Sequence, residues 1–284
     1  MLRHITLFLA LVAMTFVPMA FADDDGVAGV YQPFSEILEH HLIEKDLDND
    51  GLVSAFDYRA ALDDTDTTEL LGRQRARLAE FDIDTLKTRE QAIAFWLNAY
   101  NFFMIAQVLE EKPGGELIDS VWDYGGRVNP FRASIFEREQ FNIGGENYSL
   151  SGMEKGILLG DAYKEKGWKE ARVHFSVNCA SVGCPPLRAD IFTPDNVDEV
   201  MTENTRRAFN TERHLRVDGD TLHLTSLFNW YESHFVNEEG SIHEFIKAYA
   251  DEDVADKVAA TRRIRILDYD WSLNSPENFP EFND

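Results

Sequence analysis

An acidic segment near the N-terminus carries the residues with the clearest potential for chemistry. In the twelve residues 46–57, carboxylates alternate at the first, third and fifth positions, which turns their oxygens inward, and Gly51 permits a sharp bend. Oxygen donors in this arrangement suit a hard divalent cation, so we expect calcium, with magnesium as a competitor. The candidate metal ligands are Asp46, Asp48, Asp50, the backbone carbonyl of Leu52, Ser54 through a water molecule, and Asp57.

The same segment resembles the calcium loop of an EF-hand but departs from that pattern in three ways. The twelfth position holds Asp57, whose side chain is one methylene shorter than the usual Glu and reaches a cation less easily with both oxygens. No partner loop is visible in the sequence, although EF-hands usually occur in pairs. Lys45 and His41 stand where the first helix normally offers apolar residues. The alternative interpretation is a plain acidic turn that joins two helices.

A second group of residues has the types that nucleophilic catalysis requires. A thiol attacks a substrate only when it is deprotonated, which a nearby imidazole promotes, and a third polar side chain usually orients that imidazole. Cys179, His174 and Glu154 are the candidates, with Asn98 or Asn178 as other orienting groups. Alternatively, His174 is a buried histidine with satisfied partners, and Cys179 is a packed or disulfide-bonded residue.

The first residues have the pattern of a cleavable export signal. A basic start precedes an apolar run, and Ala20 and Ala22 place small residues where a signal peptidase reads them. We therefore expect a signal peptide at 1–22 and a periplasmic or secreted mature protein. No other segment approaches the roughly 20 apolar residues of a membrane span. In an oxidising compartment the two cysteines, at 179 and 184, form a disulfide or remain free thiols, and the sequence leaves both open.

Composition excludes several classes of partner. The chain has 284 residues with 51 acidic and 27 basic side chains, a formal net charge of −24. Such a surface is repelled by phosphate backbones and anionic lipids, which disfavours nucleic-acid binding and electrostatic membrane docking. The hydrophobic content of 44% is that of a folded globular protein, so the excess charge does not indicate disorder.

Hydrophobic periodicity predicts three long helices in the first part of the chain. We place them at 34–45, 58–81 and 90–111. The last is apolar almost all round, which is typical of a buried central helix. Asn98 and Asn101 lie on one side of this helix, where a buried amide needs partners, and we expect them to tie down a neighbouring loop or strand.

Other patterns position the candidate catalytic residues. Alternating apolar residues predict a strand at 172–178 with His174 on its second face. The spacing of residues 151–154 is that of a capping box and predicts a short helix that carries Glu154. Turn residues predict hairpins near 144–147 and 217–220.

Two smaller groups are assigned structural roles. Phe228, Trp230 and Tyr231 on a short helix are predicted to be core residues. His40 and His41 are adjacent, which prevents both rings from sharing one helical face, so we do not expect zinc binding there.

These elements predict an α+β fold, a single mixed domain with a buried central helix, a small mainly antiparallel sheet and an N-terminal helix-loop-helix. The predicted organisation, in chain order, is a signal peptide at 1–22, a leader at 23–33, a helical segment with the EF-hand-like loop at 34–81, a core at 82–274 and a tail at 275–284.

Five ordered sequence blocks resemble the domain of unknown function 547 family. The blocks are residues 95–101, 145–159, 174–187, 228–231 and 267–274, and the resemblance spans residues 34–274. It implies a shared domain but no reaction, because the family has no settled activity. Members tend to have a short Gly-Leu-Val-Asp-Tyr segment near the N-terminus, whereas residues 54–56 interrupt it here. A metal site in the acidic loop would therefore belong to a subset of the family.

Three functions are compatible with the sequence. The first is an exported calcium-binding protein whose ion rigidifies the N-terminal helical pair. The second is a cysteine-dependent hydrolase or acyl transferase that uses Cys179 and His174. The third is a non-enzymatic binding module of the cell envelope. The substrate and any protein or small-molecule partner are not indicated by these patterns.

Overall fold

The computed structural model describes residues 26–126 and 134–283, so the predicted signal peptide at 1–22 and the start of the leader lie outside the described residues. The α-helices are α1 (Gly26–Val30), α2 (Gln32–His41), α3 (Tyr58–Asp63), α4 (Thr65–Glu80), α5 (Arg89–Glu110), α6 (Asp161–Glu165), α7 (Val197–Phe209), α8 (Leu227–Trp230), α9 (Glu232–Glu239), α10 (Ile242–Tyr249) and α11 (Glu252–Ala259). The strands are β1 (Leu42–Asp46), β2 (Leu52–Phe56), β3 (Phe141–Ile143), β4 (Glu146–Tyr148), β5 (Leu215–Asp218), β6 (Thr221–Leu224) and β7 (Arg263–Ile266).

Helix α5 is the buried central helix that the sequence predicts. It begins after Thr88, whose hydroxyl accepts a hydrogen bond from the Gln91 backbone while the Gln91 side chain accepts one from the Thr88 N–H. All residues from Ala92 to Leu109 are buried. Contrary to the expectation from the sequence, this segment is long and apolar enough to cross a membrane, the one such helix in the described part of the chain, but its most apolar window is 100% buried inside the protein. Packing within the fold therefore accounts for its apolar character.

The strands form short sheets. Strands β1 and β2 form an antiparallel hairpin, as do β3 and β4. Strands β5 and β6 form a third antiparallel hairpin, to which β7 adds in parallel. The α+β class and the mainly antiparallel pairing are confirmed, with three small sheets in the described residues where one was expected.

The connection between α2 and α3 contains a β-hairpin. The predicted helix at 34–45 is wrong in its second part, since α2 ends at His41 and residues 42–46 form β1. All five residues of β2 are buried, so their backbone groups need partners, and β1 supplies them. The predicted helix at 58–81 is interrupted at Asp64, which caps the start of α4.

Residues 171–177 contribute to both of the main hydrophobic clusters. The larger cluster surrounds α5 and includes Val173 and Val177. The second cluster, rich in phenylalanine, joins α7 to α11 and includes Ala171 and Phe175. This segment therefore connects two regions of the core.

The predicted strand at 172–178 is wrong. Residues Ala171–Phe175 form a 3-10 helix, and the Ser176 N–H donates to the Val173 carbonyl at 3.0 Å. The apolar alternation arises because successive apolar residues face different clusters. It does not mark a sheet with one solvated face, since His174 between them is only 1% exposed.

Two buried amides on α5 fix neighbouring segments of the chain. Asn98 donates to the Phe192 carbonyl at 2.7 Å and accepts from the Phe192 N–H at 2.9 Å. Asn101 donates to the Ser176 carbonyl at 3.0 Å and accepts from the Asn178 N–H at 2.8 Å. Both amides tie down loops, as predicted, and Asn101 sets the position of the chain directly after the 3-10 helix.

Replacing Asn101 with Ala should destabilise the protein by about 2–4 kcal/mol, because a buried carbonyl and a buried N–H lose their partners. Urea unfolding measures the change. Asn147→Ala is the control, since this amide lies on an exposed hairpin, and it should change the free energy of unfolding by less than about 0.5 kcal/mol. Wild-type stability in Asn101→Ala would contradict the anchoring role.

Candidate functional site

A cleft of about 630 Å³ gathers residues from across the chain, and its volume is typical of a small-molecule site. Its polar lining consists of Ser134, Glu137, Ser151, Glu154, Lys155, His174 and the sulfurs of Cys179 and Cys184. Its aromatic lining consists of Tyr100, Trp122, Phe136, Trp230, Tyr231, Tyr269 and Trp271. The cleft thus combines carboxylates with large ring faces.

A π-helix, Gly152–Leu158, places Glu154 in the cleft. Such helical turns are rare and often occur at functional sites. The predicted capping box is wrong, because Ser149 accepts the hydrogen bond from the first N–H of this helix at 2.9 Å. Ser151 instead donates to the Glu137 carboxylate at 2.6 Å. The local geometry leaves Glu154 only 7% exposed.

Glu154 begins a chain of polar contacts through two histidines. Its carboxylate lies 3.5 Å from Nδ1 of His174. The other ring nitrogen of His174, Nε2, lies 2.8 Å from Nδ1 of His234, whose Nε2 lies 3.3 Å from Nζ of Lys169. The His174 ring stacks on Tyr231 with centroids 3.9 Å apart, and Tyr231 lines the cleft together with Glu154. Residues distant in sequence therefore converge on one carboxylate.

Burial determines the charge of this network. Burial lowers the pKa of His174, and the neighbouring Glu154 carboxylate opposes that shift without reversing it. Burial also lowers the pKa of His234 to about 4, with His174 acting in the same direction. Burial raises the pKa of the Tyr231 hydroxyl. Near neutral pH the two rings and the phenol are uncharged, so none of them offers Glu154 a counter-charge.

Cys179 and Cys184 form a disulfide on the wall of the cleft, which resolves the alternative that the sequence left open. The Tyr269 hydroxyl lies 3.3 Å from the sulfur of Cys179 and 3.1 Å from that of Cys184. The predicted catalytic residues Cys179, His174 and Glu154 all line the cleft. A disulfide sulfur is not a thiolate nucleophile, however, and both ring nitrogens of His174 face other side chains. A cysteine-dependent reaction stays a prediction for a reduced form of the protein.

The aromatic wall of the cleft was not found by the sequence patterns. Phe228 is buried as predicted, but Trp230, two residues later, is 45% exposed. Its ring centroid lies 4.9 Å from that of Tyr269 and 5.6 Å from that of Trp271. Trp122 packs on Trp271 at 4.7 Å, and its buried indole N–H has no hydrogen-bond partner among the described residues. Three chain segments build this wall, so no single periodic pattern reveals it.

The acidic loop directs two of its carboxylates to the end of α7. Asp46 contacts Arg207, and Asp50 contacts Arg206 at 2.6 Å. The Arg206 guanidinium lowers the pKa of Asp50 below its ordinary value. Asp57 accepts a hydrogen bond from a backbone N–H at the start of α3. A bound ion needs several donor side chains close together. Within residues 26–126 and 134–283, none of the predicted aspartate ligands has two further His, Cys, Asp or Glu side chains with all three ligand atoms within 4.8 Å of one another.

The other predicted ligands lie on or beside the hairpin. Leu52 and Ser54 are on β2, paired with Asp46 and Glu44 of β1, and Asp48 is exposed in the turn. A calcium ion at this loop would have to displace the two arginines from Asp46 and Asp50. Calcium binding at residues 46–57 stays a prediction.

Calorimetric titration tests that prediction directly. A calcium site would give saturable binding that Asp50→Ala weakens at least about tenfold, because one anionic ligand is lost. Asp63→Ala removes an exposed carboxylate on α3 and serves as the control. The prediction fails if the wild-type protein shows no saturable calcium binding.

Another buried histidine, His214, lies beside the disulfide. His214 is 2% exposed, and Nδ1 of its ring has no hydrogen-bond partner among the described residues. Burial lowers the pKa of His214 from 6.5 to about 3, assisted by the charge of Arg213. The unfolded chain therefore binds a proton at pH values where the folded protein does not. The resulting stability is fully present above pH 6.5 and is lost as the pH falls towards 3.

Protonation of His214 in the unfolded chain should by itself lower the free energy of unfolding by roughly 1.4 kcal/mol for each pH unit below the ordinary histidine pKa. In His214→Gln this part of the pH dependence should disappear. Urea unfolding between about pH 5 and about pH 7 measures it. His223→Gln, at a half-buried site on β6, is the control and should keep the wild-type slope. An unchanged slope in His214→Gln would contradict the assignment.

Comparison with known proteins gives one match. Residues 83–209 match the family described as "Protein of unknown function, DUF547". The matched segment contains α5, Glu154, His174 and the disulfide, and it ends with α7, so it excludes the acidic hairpin and the aromatic residues after α7. No curated protein and no solved structure shows significant similarity to the chain. Residues 83–209 are therefore similar to the DUF547 family, whose description assigns no activity.

Proposed function

We propose that the protein is exported and binds a small organic cation in the aromatic cleft. The observation that carries the proposal is Glu154, a nearly buried carboxylate in the cleft whose neighbours His174 and Tyr231 are uncharged. Export rests on the signal-peptide pattern of residues 1–22.

The electrostatics of the cleft favour a cationic ligand. A carboxylate removed from water is costly unless a positive charge or strong donors compensate it. His174, whose Nδ1 lies 3.5 Å from the Glu154 carboxylate, and Tyr231 carry no charge near neutral pH. Lys155, also in the lining, is exposed, so solvent screens its charge. The net charge of −24 further raises the local concentration of cations.

The aromatic wall suits the same ligand class. Trp122, Trp230, Tyr269 and Trp271 form a continuous group with neighbouring centroids 4.5–5.6 Å apart. The negative face of an aromatic ring attracts an ammonium group, and each such contact contributes about 0.5–2 kcal/mol. A hard metal ion prefers oxygen ligands, so ring faces favour an organic cation over calcium in this cleft.

A binding role also agrees with the oxidised disulfide. The cysteine-dependent reaction needs a free thiolate, whereas recognition of a cation uses Glu154 and the rings alone. The second carboxylate of the lining, Glu137, accepts a hydrogen bond from Ser151 and adds to the negative potential. Binding is therefore the function that requires no change to the described geometry.

Titration with a matched pair of ligands tests the proposal. Choline should quench the tryptophan fluorescence saturably, and its uncharged carbon isostere, in which a tert-butyl group replaces the trimethylammonium group, should bind at least about tenfold more weakly. Glu154→Gln should weaken choline binding by about tenfold, because the amide keeps the size but loses the charge. Primary ammonium and guanidinium compounds complete the panel.

Glu146→Gln is the matched control, since this carboxylate is exposed on β4 and does not line the cleft. It should bind the panel as the wild type does. Equal affinity for choline and its isostere, wild-type affinity in Glu154→Gln, or no saturable binding of any cation in the panel would each overturn the proposal.

A further inference from the structure

Two histidines and an aspartate come together where α2 meets α4. One ligand atom from each of His40, His41 and Asp64 lies within 4.8 Å of the other two. His40 and His41 are adjacent on α2, and the third donor comes from the start of another helix, which the argument from one helical face does not consider. Imidazole nitrogen and carboxylate oxygen are the donors that zinc prefers in proteins.

His41 is held rigidly at this point. Its ring is 6% exposed, and Nε2 lies 2.7 Å from the Thr67 hydroxyl and 3.2 Å from the Asp64 carboxylate. Its Nδ1 is buried and has no hydrogen-bond partner among the described residues. A buried ring nitrogen without a partner costs about 1–3 kcal/mol, and the nitrogen that faces Asp64 and Thr67 is the other one, Nε2.

Asp64 is positioned by the helix that it caps. One carboxylate oxygen, Oδ1, accepts the Asp66 N–H at 3.0 Å, which leaves Oδ2 directed at His41 and Thr67. The third donor, His40, is exposed and gives a cation access from solvent.

We propose that His40, His41 and Asp64 bind zinc or a similar divalent transition metal that fastens α2 to α4. In tetrahedral zinc sites the ligand atoms lie roughly 3.3 Å apart, a spacing that the exposed His40 side chain reaches by a change of rotamer. Water or the Thr67 hydroxyl occupies the fourth position. The site is separate from the calcium prediction, because two of its three donors are nitrogen. It also does not depend on the cleft or its ligand.

Calorimetric titration of the full chain with zinc tests the site, with calcium and magnesium as comparison ions and with no affinity tag present. We expect one saturable zinc site per chain, a higher melting temperature with zinc, and visible absorption bands when cobalt(II) replaces zinc. Asp64→Asn keeps the helix cap but removes the anionic donor, and it should weaken zinc binding at least about tenfold. His40→Gln changes an exposed side chain and should have a similar effect.

His223→Gln removes a histidine outside the group and should bind zinc as the wild type does. Absence of saturable zinc binding in the wild type would overturn the proposal. So would wild-type affinity in both Asp64→Asn and His40→Gln, or an equal loss of affinity in His223→Gln. Because His40→Gln and Asp64→Asn leave the buried His41 ring in place, unfolding is not expected to obscure the result, and urea unfolding without metal checks this.

Discussion

Polar side chains on a helix without an exposed face must find partners in neighbouring segments, and this requirement organises the centre of the protein. Asn98 and Asn101 lie about one turn apart on α5, and each binds both backbone groups of a loop that has no regular partner. Asn101 holds the residues between His174 and Cys179. The hydrogen bonds that satisfy the buried Asn101 side chain thus also fix the position of the segment that carries His174 and Cys179 on the wall of the cleft.

The same burial sets the chemistry of the cleft. His174 lies between two hydrophobic clusters, where a charged imidazole is disfavoured, so its pKa falls even beside a carboxylate. A neutral His174 orients Glu154 without neutralising it. The negative charge remains available to a ligand, and the exposed ring of Trp230 lies on the same cleft. The packing that desolvates His174 thus also places Glu154 beside the aromatic rings where we propose that a cation binds.

The N-terminal region uses its carboxylates in two contrasting ways. In the hairpin, Asp46 and Asp50 contact arginines at the end of α7, and these arginines compensate the negative charge of the two carboxylates. At the start of α4, Asp64 caps the helix with one oxygen and faces His41 with the other. Similar acidic residues thus differ in function according to what packs against them. Spacing along the chain does not contain that information.

The sequence by itself determined the features that depend on local periodicity and turn chemistry. These include the buried helix α5, the anchoring role of its amides, two of the hairpins and the family resemblance. Local patterns gave a wrong prediction at residues 171–177, where apolar residues of one segment face different hydrophobic clusters. They also gave a wrong prediction at residues 42–46, which pair with the buried strand β2 in a hairpin. Only the tertiary structure brought Glu154 to His174, Trp230 into the cleft and Asp64 to His41. The periodicity of apolar residues along the chain indicates which residues are buried. Contacts between residues distant in sequence depend on how all elements pack together.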